Sequence, residues 1–267
     1  MVEEVPVLYE KDQDIAIITL NRPNVLNAID FHLGNKILEI LAKIYSDETI
    51  RSVIITGKGR AFSSGGDINA MKEASDAGTP AIFMQRLIQM LNQIISEIRT
   101  LKIPVIAAIP GITSGGGLDL ALACDVRIAS EKAKFKAAYT GIGLVPAGGG
   151  SFLLSSIIGP TQALLFFMLN ETINVKEAYK LELVNKIVPV EELMNYSLEL
   201  ANTLADGATT AYGYTKRLLN DFIGGSGIEH QLAVESSLQS EILIKTTDFK
   251  EGIRAFLEKR QPKFSGK

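Results

Sequence analysis

Two glycine-rich segments of the sequence combine small residues with nearby carboxylates. They read VIITGKGRAFSSGGDI and VIAAIPGITSGGGLDL, and each passes from an apolar, strand-like run through small residues into the start of a helix. The first N–H groups of a helix lack intrahelical partners and carry partial positive charge. Because small side chains let an oxygen approach those groups, the two segments together predict a pair of backbone donors for a developing oxyanion. The alternative is that the glycines only allow tight packing.

A candidate acid–base group follows the glycines of the second segment. Asp119 falls in the first turn of the helix that GGGLDL opens, where the helix dipole favours an ionised carboxylate. We therefore expect Asp119 to act as a base, the alternative being that it only charges the helix start. Cys124 lies in an apolar helical run and reads as a small buried residue. His32 and His230 read as ordinary exposed or packed side chains.

Composition excludes several classes of function. The net charge is −3 without a basic stripe, so neither nucleic acid nor a membrane is an expected partner. One cysteine and two histidines do not make a typical metal site, so no metal is expected. Neither glycine segment matches a dinucleotide or P-loop pattern. Because a signal peptide and a membrane-length apolar run are both lacking, we expect a cytoplasmic protein.

The elements around the two segments alternate between strands and helices. VPVLYE and DIAIITL read as a hairpin around KDQD, Asp30 as the cap of a helix to about Tyr45, and residues 81–100 as a second amphipathic helix. Three short strands are expected in RSVIITG, IPVIAAI and DVRIAS, a loop in KGRAFSSGGD, and a further helix after GIGLVPAGGGS. From about residue 190 the pattern is helical only. The sequence thus predicts an α/β core with a helical C-terminal region.

Four segments resemble the enoyl-CoA hydratase/isomerase family, also called the crotonase family. They are ITLNRPNVLNAI, GRAFSSGGDI, PVIAAIPGITSGGGLDLALACDVRIAS and AFLEKRQPKF, and they follow in the family's order across nearly the whole chain. The resemblance implies a spiral of ββα units with a C-terminal helical oligomerisation region. We expect an acyl-CoA-binding core over residues 1–195. Residues 196–267 would be the helical region through which the chains assemble into a homotrimer, or a dimer of trimers. The same region would complete the coenzyme A site.

The resemblance also implies roles for individual residues. The N–H groups of Gly66 and Gly116 would bind the thioester oxygen of an acyl-CoA substrate, so coenzyme A enters as part of the substrate and no separate cofactor is expected. Arg22 and Lys259 would lie near its phosphates, the lysine coming from the tail of the same or a neighbouring subunit. The residues expected to contact coenzyme A are Arg22, Ala28, Ser64, Asp67, Ile68 and Lys259.

The acid–base residues depart from those of the family's hydratases. Those enzymes place two glutamates around the substrate; the first position here is Asp119 and the second is Tyr139, while an acid position used by other members is Ala147. The ordinary pKa of tyrosine, near 10, makes it a poor base at neutral pH. Tyr139 is therefore either a catalytic hydroxyl or a packed side chain with a satisfied hydroxyl.

The remaining carboxylate favours double-bond isomerisation. One base can move one proton between two carbons, while the enolate is stabilised by backbone donors. Asp119 would then carry the proton. Three alternatives stay open: hydration by Asp119 with an unidentified second group, decarboxylation of a malonyl-type thioester, and a coenzyme A-binding protein without catalysis.

Overall fold

The computed structural model describes residues 5–266, apart from the side chain of residue 244. Residues 1–4 and 267 lie outside the described residues, and with them the outer limits of the two predicted domains.

Within residues 5–266, ten strands form two sheets. They are β1 (Val7–Asp12), β2 (Ile15–Leu20), β3 (Ser52–Gly57), β4 (Ala61–Ser63), β5 (Val105–Ile109), β6 (Ile112–Ser114), β7 (Val126–Ser130), β8 (Lys134–Lys136), β9 (Ile173–Asn174) and β10 (Lys186–Val188). The larger sheet has the order β1-β2-β3-β5-β7-β10, and the smaller has the order β4-β6-β8-β9. From β2 to β10 the larger sheet is parallel.

Eleven α-helices occur in the described part of the chain. They are α1 (Phe31–Ser46), α2 (Ile68–Asp76), α3 (Pro80–Thr100), α4 (Gly116–Ala123), α5 (Gly150–Ile158), α6 (Pro160–Leu169), α7 (Val175–Lys180), α8 (Leu193–Ala205), α9 (Thr209–Ile223), α10 (Ile228–Lys245) and α11 (Asp248–Glu258). The last four confirm the predicted helical C-terminal region.

Three successive units share one plan: a strand in the larger sheet, a short strand in the smaller sheet, and one or two helices. The units are β3-β4-α2-α3, β5-β6-α4 and β7-β8-α5-α6. Each therefore crosses from one sheet to the other before its helix begins. This arrangement confirms the predicted α/β fold built from ββα units, and the unequal unit lengths leave no fixed sequence period.

The larger sheet is buried on both faces, because its side chains alternate between two apolar clusters. Ile18, Val53 and Ile55 face the cluster that contains α1, α3 and α4. Ile17 and Ile54 face the other cluster, which is closed by residues of α8. The proposed boundary between residues 195 and 196 consequently falls within α8, a helix that packs on the sheet.

Most of the predicted elements are confirmed, but one loop is not. The hairpin forms with antiparallel pairing of β1 and β2, and Asp30 caps α1 by accepting a 2.8 Å hydrogen bond from Leu33 N. The prediction of a loop over KGRAFSSGGD is wrong at its centre, since Ala61–Ser63 forms β4. A strand of three residues is too short to show a period of two.

Candidate active site

The smaller sheet brings the two glycine-rich segments together. β4 and β6 are parallel neighbours, with Ala61 opposite Ile112 and Ser63 opposite Thr113, so the loops that follow them lie side by side. At their contact Gly65 has a φ of +92°, and a Cβ placed on it would lie 2.8 Å from the Ser114 oxygen and 3.2 Å from Gly116 N. Only glycine permits this approach without strain.

The backbone around Gly66 turns its N–H away from the neighbouring chain. Ile29 N donates to Gly65 O at 2.7 Å, and Asp67 N donates to Ile29 O at 3.0 Å, which is the pattern of a parallel bridge centred on Gly66. The N–H of Gly66 points to the opposite side of its own strand. Among the hydrogen bonds of the described residues, none is donated by this N–H.

Gly116 presents a second free donor. It is the first residue of α4, where no intrahelical acceptor exists, and the described residues provide no other acceptor for its N–H. A Cβ placed on it would meet the ends of side chains, Leu91 Cδ2 at 3.1 Å and Ile29 Cδ1 at 3.6 Å. Gly66 and Gly116 line the same cavity.

The glycines on either side of Gly116 meet a conformational and a packing requirement. Gly115 adopts φ 51° and ψ −127°, a conformation that side chains strongly disfavour. A Cβ on Gly117 would lie 2.4 Å from the carbonyl oxygen of Ser63, so this glycine lets α4 approach β4. The packing interpretation therefore applies to Gly117, while Gly116 has the free N–H that the donor interpretation requires.

The cavity has a volume of about 160 Å³ and mostly apolar walls. Beside the two glycines it is lined by Ile29, Ser64, Gly65, Ile68, Met71, Met84, Leu87, Ile88, Leu91, Gly115, Ala138, Tyr139, Ile142, Leu144, Val145 and Ala147. Two of these apolar side chains, Ile68 and Val145, are exposed to 57% and 80%. The cavity thus suits an apolar group with a polar oxygen at the glycine end.

Asp119 does not line this cavity. Asp119 is only 2% exposed. This burial raises the pKa of its carboxyl to about 8, although the hydrogen bond from Tyr139 lowers that pKa. The expectation that the helix dipole keeps Asp119 ionised is therefore wrong at neutral pH. Loss of solvent outweighs the dipole.

The hydroxyl of Tyr139 donates a hydrogen bond to Asp119 Oδ2. Its ring lines the cavity, and a Cβ on Gly116 would lie 3.9 Å from the hydroxyl oxygen. Burial, followed by the charge and the hydrogen bond of Asp119, raises the pKa of Tyr139, while the backbone of Ala147 acts against this rise. Tyr139 thus connects the buried carboxyl to the cavity.

Two features that the sequence did not reveal position this pair. Ala138 has a φ of +67°, a strained conformation that often occurs at functional sites. Gly148 and Gly150 approach the carboxyl closely, since a Cβ on Gly150 would lie 2.1 Å from Asp119 Oδ1. The GIGLVPAGGGS segment signalled these glycines, but its sequence shows only the start of a helix and not the contact with α4.

The other predicted site residues fall into separate groups. Arg22 Nη1 donates to the Ala28 oxygen at 2.6 Å, and the guanidinium pairs with Asp30 at 3.1 Å and with Asp67 at 3.2 Å. Asp67 also caps α2. Ser64 and Ile68 line the cavity. Arg22, Ala28 and Asp67 are therefore one cluster beside Gly66.

Lys259 is not part of this arrangement. It follows α11 in a left-handed conformation with φ 55°, is exposed and does not line the cavity. Its predicted contact with a phosphate stays a prediction.

The histidines and the cysteine lie apart from the cavity. His32 and His230 are exposed, whereas Cys124 is buried, which raises the pKa of its thiol to about 12. No cluster of three potential metal ligands occurs among the described residues. In the same part of the chain, no helix combines the length and apolarity needed to cross a membrane.

Comparison with known proteins shows similarity over almost the whole chain. The sequence model of the family described as enoyl-CoA hydratase/isomerase matches residues 10–267. A trans-2-decenoyl-[acyl-carrier-protein] isomerase of Streptococcus mutans is 34% identical over 98% of this chain and 98% of its own. A short-chain-enoyl-CoA hydratase of Clostridium acetobutylicum is 34% identical over 96% and 95%. The crystal structure of an enoyl-CoA hydratase from Bacillus anthracis superposes with a TM-score of 0.90 at 32% identity, covering 98% and 100% of the two chains.

Proposed function

The chain belongs to the enoyl-CoA hydratase/isomerase family, and we propose that it shifts a carbon–carbon double bond of an enoyl thioester. Relatives named as hydratases and as isomerases match equally well, so the family establishes an enzyme of hydratase/isomerase type. The choice of isomerisation comes from the site itself.

One observation carries the proposal: two backbone N–H groups without acceptors among the described residues line an apolar cavity, to which a single carboxyl group connects through Tyr139. The thioester oxygen would lie between Gly66 N and Gly116 N. Removal of a proton from the α-carbon makes this oxygen negative, and fixed donors stabilise that enolate more than the ground state.

A single acid–base unit, here Asp119 with Tyr139, fits isomerisation. The proton that this unit removes from the α-carbon can be returned to the γ-carbon. Hydration needs one group to activate water and another to deliver a proton. Ala147, at the alternative acid position, lines the cavity without a polar side chain, and this supports a reaction that uses one unit.

The remaining predictions are part of the proposal. Coenzyme A, as the carrier of the substrate, would contact Arg22, Ala28, Ser64, Asp67, Ile68 and Lys259. Residues 1–195 would form the acyl-CoA-binding core and residues 196–267 the trimerising region that completes the site, in a homotrimer or a dimer of trimers. We also retain the cytoplasmic location, and we expect no cofactor beyond coenzyme A.

The experiment is an assay of 2-enoyl-, 3-enoyl- and dienoyl-CoA thioesters in water enriched in ¹⁸O, with conjugation absorbance and product mass as readouts. We expect interconversion of double-bond isomers without incorporation of ¹⁸O. Incorporation of ¹⁸O would instead support hydration, the function for which the Clostridium relative is named. Binding without turnover of any thioester would contradict both. Because the Streptococcus relative is named for an acyl-carrier-protein thioester, the same acyl groups are also assayed on that carrier.

A further inference from the structure

We propose that Tyr139 is the group that exchanges protons with the substrate, and that Asp119 accepts and returns the proton behind it without touching the substrate. The inference rests on the proposed function, since it concerns the proton transfers of the same site. It differs from direct catalysis by a carboxylate, which the sequence alone suggests for Asp119.

The first argument is access. Tyr139 lines the cavity beside Gly116, whereas Asp119 does not. The carboxyl lies against the backbone of Gly148 and Gly150. It is so close that neither position has room for a Cβ, so a substrate cannot approach the carboxyl from this side. A substrate held by Gly116 N therefore meets the hydroxyl of Tyr139 before it could meet the carboxyl.

The second argument is connection. Within the described residues, the hydrogen bond that the Asp119 side chain accepts comes from Tyr139. A proton that reaches or leaves Asp119 Oδ2 from the cavity passes through this hydroxyl, which can donate one proton while it accepts another.

The proton transfers balance without another reactant. Tyr139 Oη takes the α-proton of a 3-enoyl thioester while its own proton moves to the Asp119 carboxylate. The electron pair of the broken C–H bond enters the dienolate, so the negative charge moves from Asp119 to the thioester oxygen. Tyr139 then donates a proton to the γ-carbon and recovers one from Asp119. The double bond has moved, and the enzyme has returned to its starting state.

The surroundings of Asp119 set the pH at which this can occur. β4, β6 and α5, which pack on α4, contain no titratable side chain, and the charged residues of α3 do not act on the pKa of Asp119. With that pKa near 8, about a tenth of the enzyme has the ionised carboxylate at pH 7. The rate should consequently rise with pH up to about 8.

The test is the exchange of α-protons of butyryl-CoA in D₂O, followed by mass spectrometry. This saturated probe requires the proton transfer but not the double-bond shift. Tyr139→Phe and Asp119→Asn should each slow exchange by about 100-fold or more, and the double variant should be no slower than either single variant, because the two residues act as one unit. Tyr45→Phe, at an exposed tyrosine of α1, is the matched control and should exchange at the wild-type rate.

Three results would overturn the inference. If Tyr139→Phe exchanges within about 3-fold of wild type while Asp119→Asn does not, the carboxyl acts directly. If both variants exchange normally, neither residue carries the proton. If Tyr139→Phe no longer binds the thioester in calorimetry, 3-fluorotyrosine incorporated at position 139 replaces it. An exchange rate unchanged by this more acidic, less basic hydroxyl would then count against the proposal.

The outcome is separable from that of the proposed function. Wild-type exchange that depends on Tyr139, together with no isomerisation of any enoyl thioester, would leave the inference standing and refute the isomerase proposal. Isomerisation that does not depend on Tyr139 would support the isomerase proposal and refute the inference.

Discussion

Two opposing effects act on the ionisation of Asp119. Its place in the first turn of α4 favours the carboxylate through the helix dipole, an effect of about 0.3–2 kcal/mol. Burial favours the neutral acid and raises the pKa to about 8; such a rise from the ordinary value near 4 corresponds to roughly 5 kcal/mol. Burial therefore prevails, and the folded protein holds a protonated carboxyl at neutral pH.

This balance predicts a pH dependence of stability that Asp119→Asn should remove. Because the pKa is higher in the folded than in the unfolded state, the contribution to stability is complete below about pH 4 and is lost as pH rises to about 8. Wild type should lose roughly 2–4 kcal/mol of unfolding free energy between pH 5 and pH 8 relative to the variant, as measured by urea denaturation. Asp206→Asn, at an exposed aspartate, should behave as wild type. Parallel curves for wild type and Asp119→Asn would contradict the raised pKa.

At the scale of elements, the site depends on how short segments pack. Asn27 is fully buried and donates from its amide to the carbonyl oxygens of Lys58 and Ala61. Ser63 Oγ donates to Asn27 O and accepts from Gly65 N. Arg22 joins Ala28, Asp30 and Asp67. The first segment is thus fixed from both sides around Gly66.

The Arg22 cluster predicts that Arg22→Gln impairs catalysis even without a phosphate in the substrate. Loss of the guanidinium frees Asp67, which caps α2 directly after Gly66, so kcat/KM should fall by about tenfold for an enoyl-pantetheine thioester as well as for the CoA thioester. Any additional loss with the CoA thioester measures the predicted phosphate contact. An unchanged pantetheine reaction would show that Arg22 does not position Gly66. Lys72→Gln, which removes an exposed ion pair with Asp76, is the control.

The same packing explains which features of the site can be predicted from the sequence and which cannot. The two loops that carry the N–H donors were predictable, and so was Asp30 as a cap, because strand runs, glycine clusters and cap residues leave local patterns. β4 and the contact of Gly150 with Asp119 were not, because one is too short for periodicity and the other joins residues 31 positions apart in sequence. The burial of Asp119, and hence its pKa, depends on that contact.

At the scale of the whole molecule, the C-terminal helices expose a large apolar surface. Phe256 and Leu257 are 83% and 74% exposed, and with Phe249 and Ile253 they line a groove of about 470 Å³ between α11, α10 and the start of α9. Exposed apolar patches of this kind mark interaction sites. Their position fits the proposal that the helical region assembles three or six copies of the chain.

Assembly predicts a solution mass of three or six times 28.9 kDa in light scattering coupled to size exclusion. Phe256→Glu should shift the mass towards the single chain, because a charge would be buried at the interface. Glu258→Gln, at an exposed neighbour outside the groove, should leave it unchanged. A wild-type mass of 28.9 kDa would contradict the proposed oligomer.

The central claim, that the N–H of Gly116 stabilises the enolate, can be tested most directly by removing that N–H alone. Gly116 is the first residue of α4, where proline is tolerated, and Gly116→Ala retains the N–H while adding a Cβ at the same place. We predict that kcat/KM for isomerisation of a 3-enoyl-CoA is about 10²–10³-fold lower in Gly116→Pro than in Gly116→Ala, with both variants folded by circular dichroism and binding coenzyme A alike. Equal kcat/KM values in the two variants would contradict the claim.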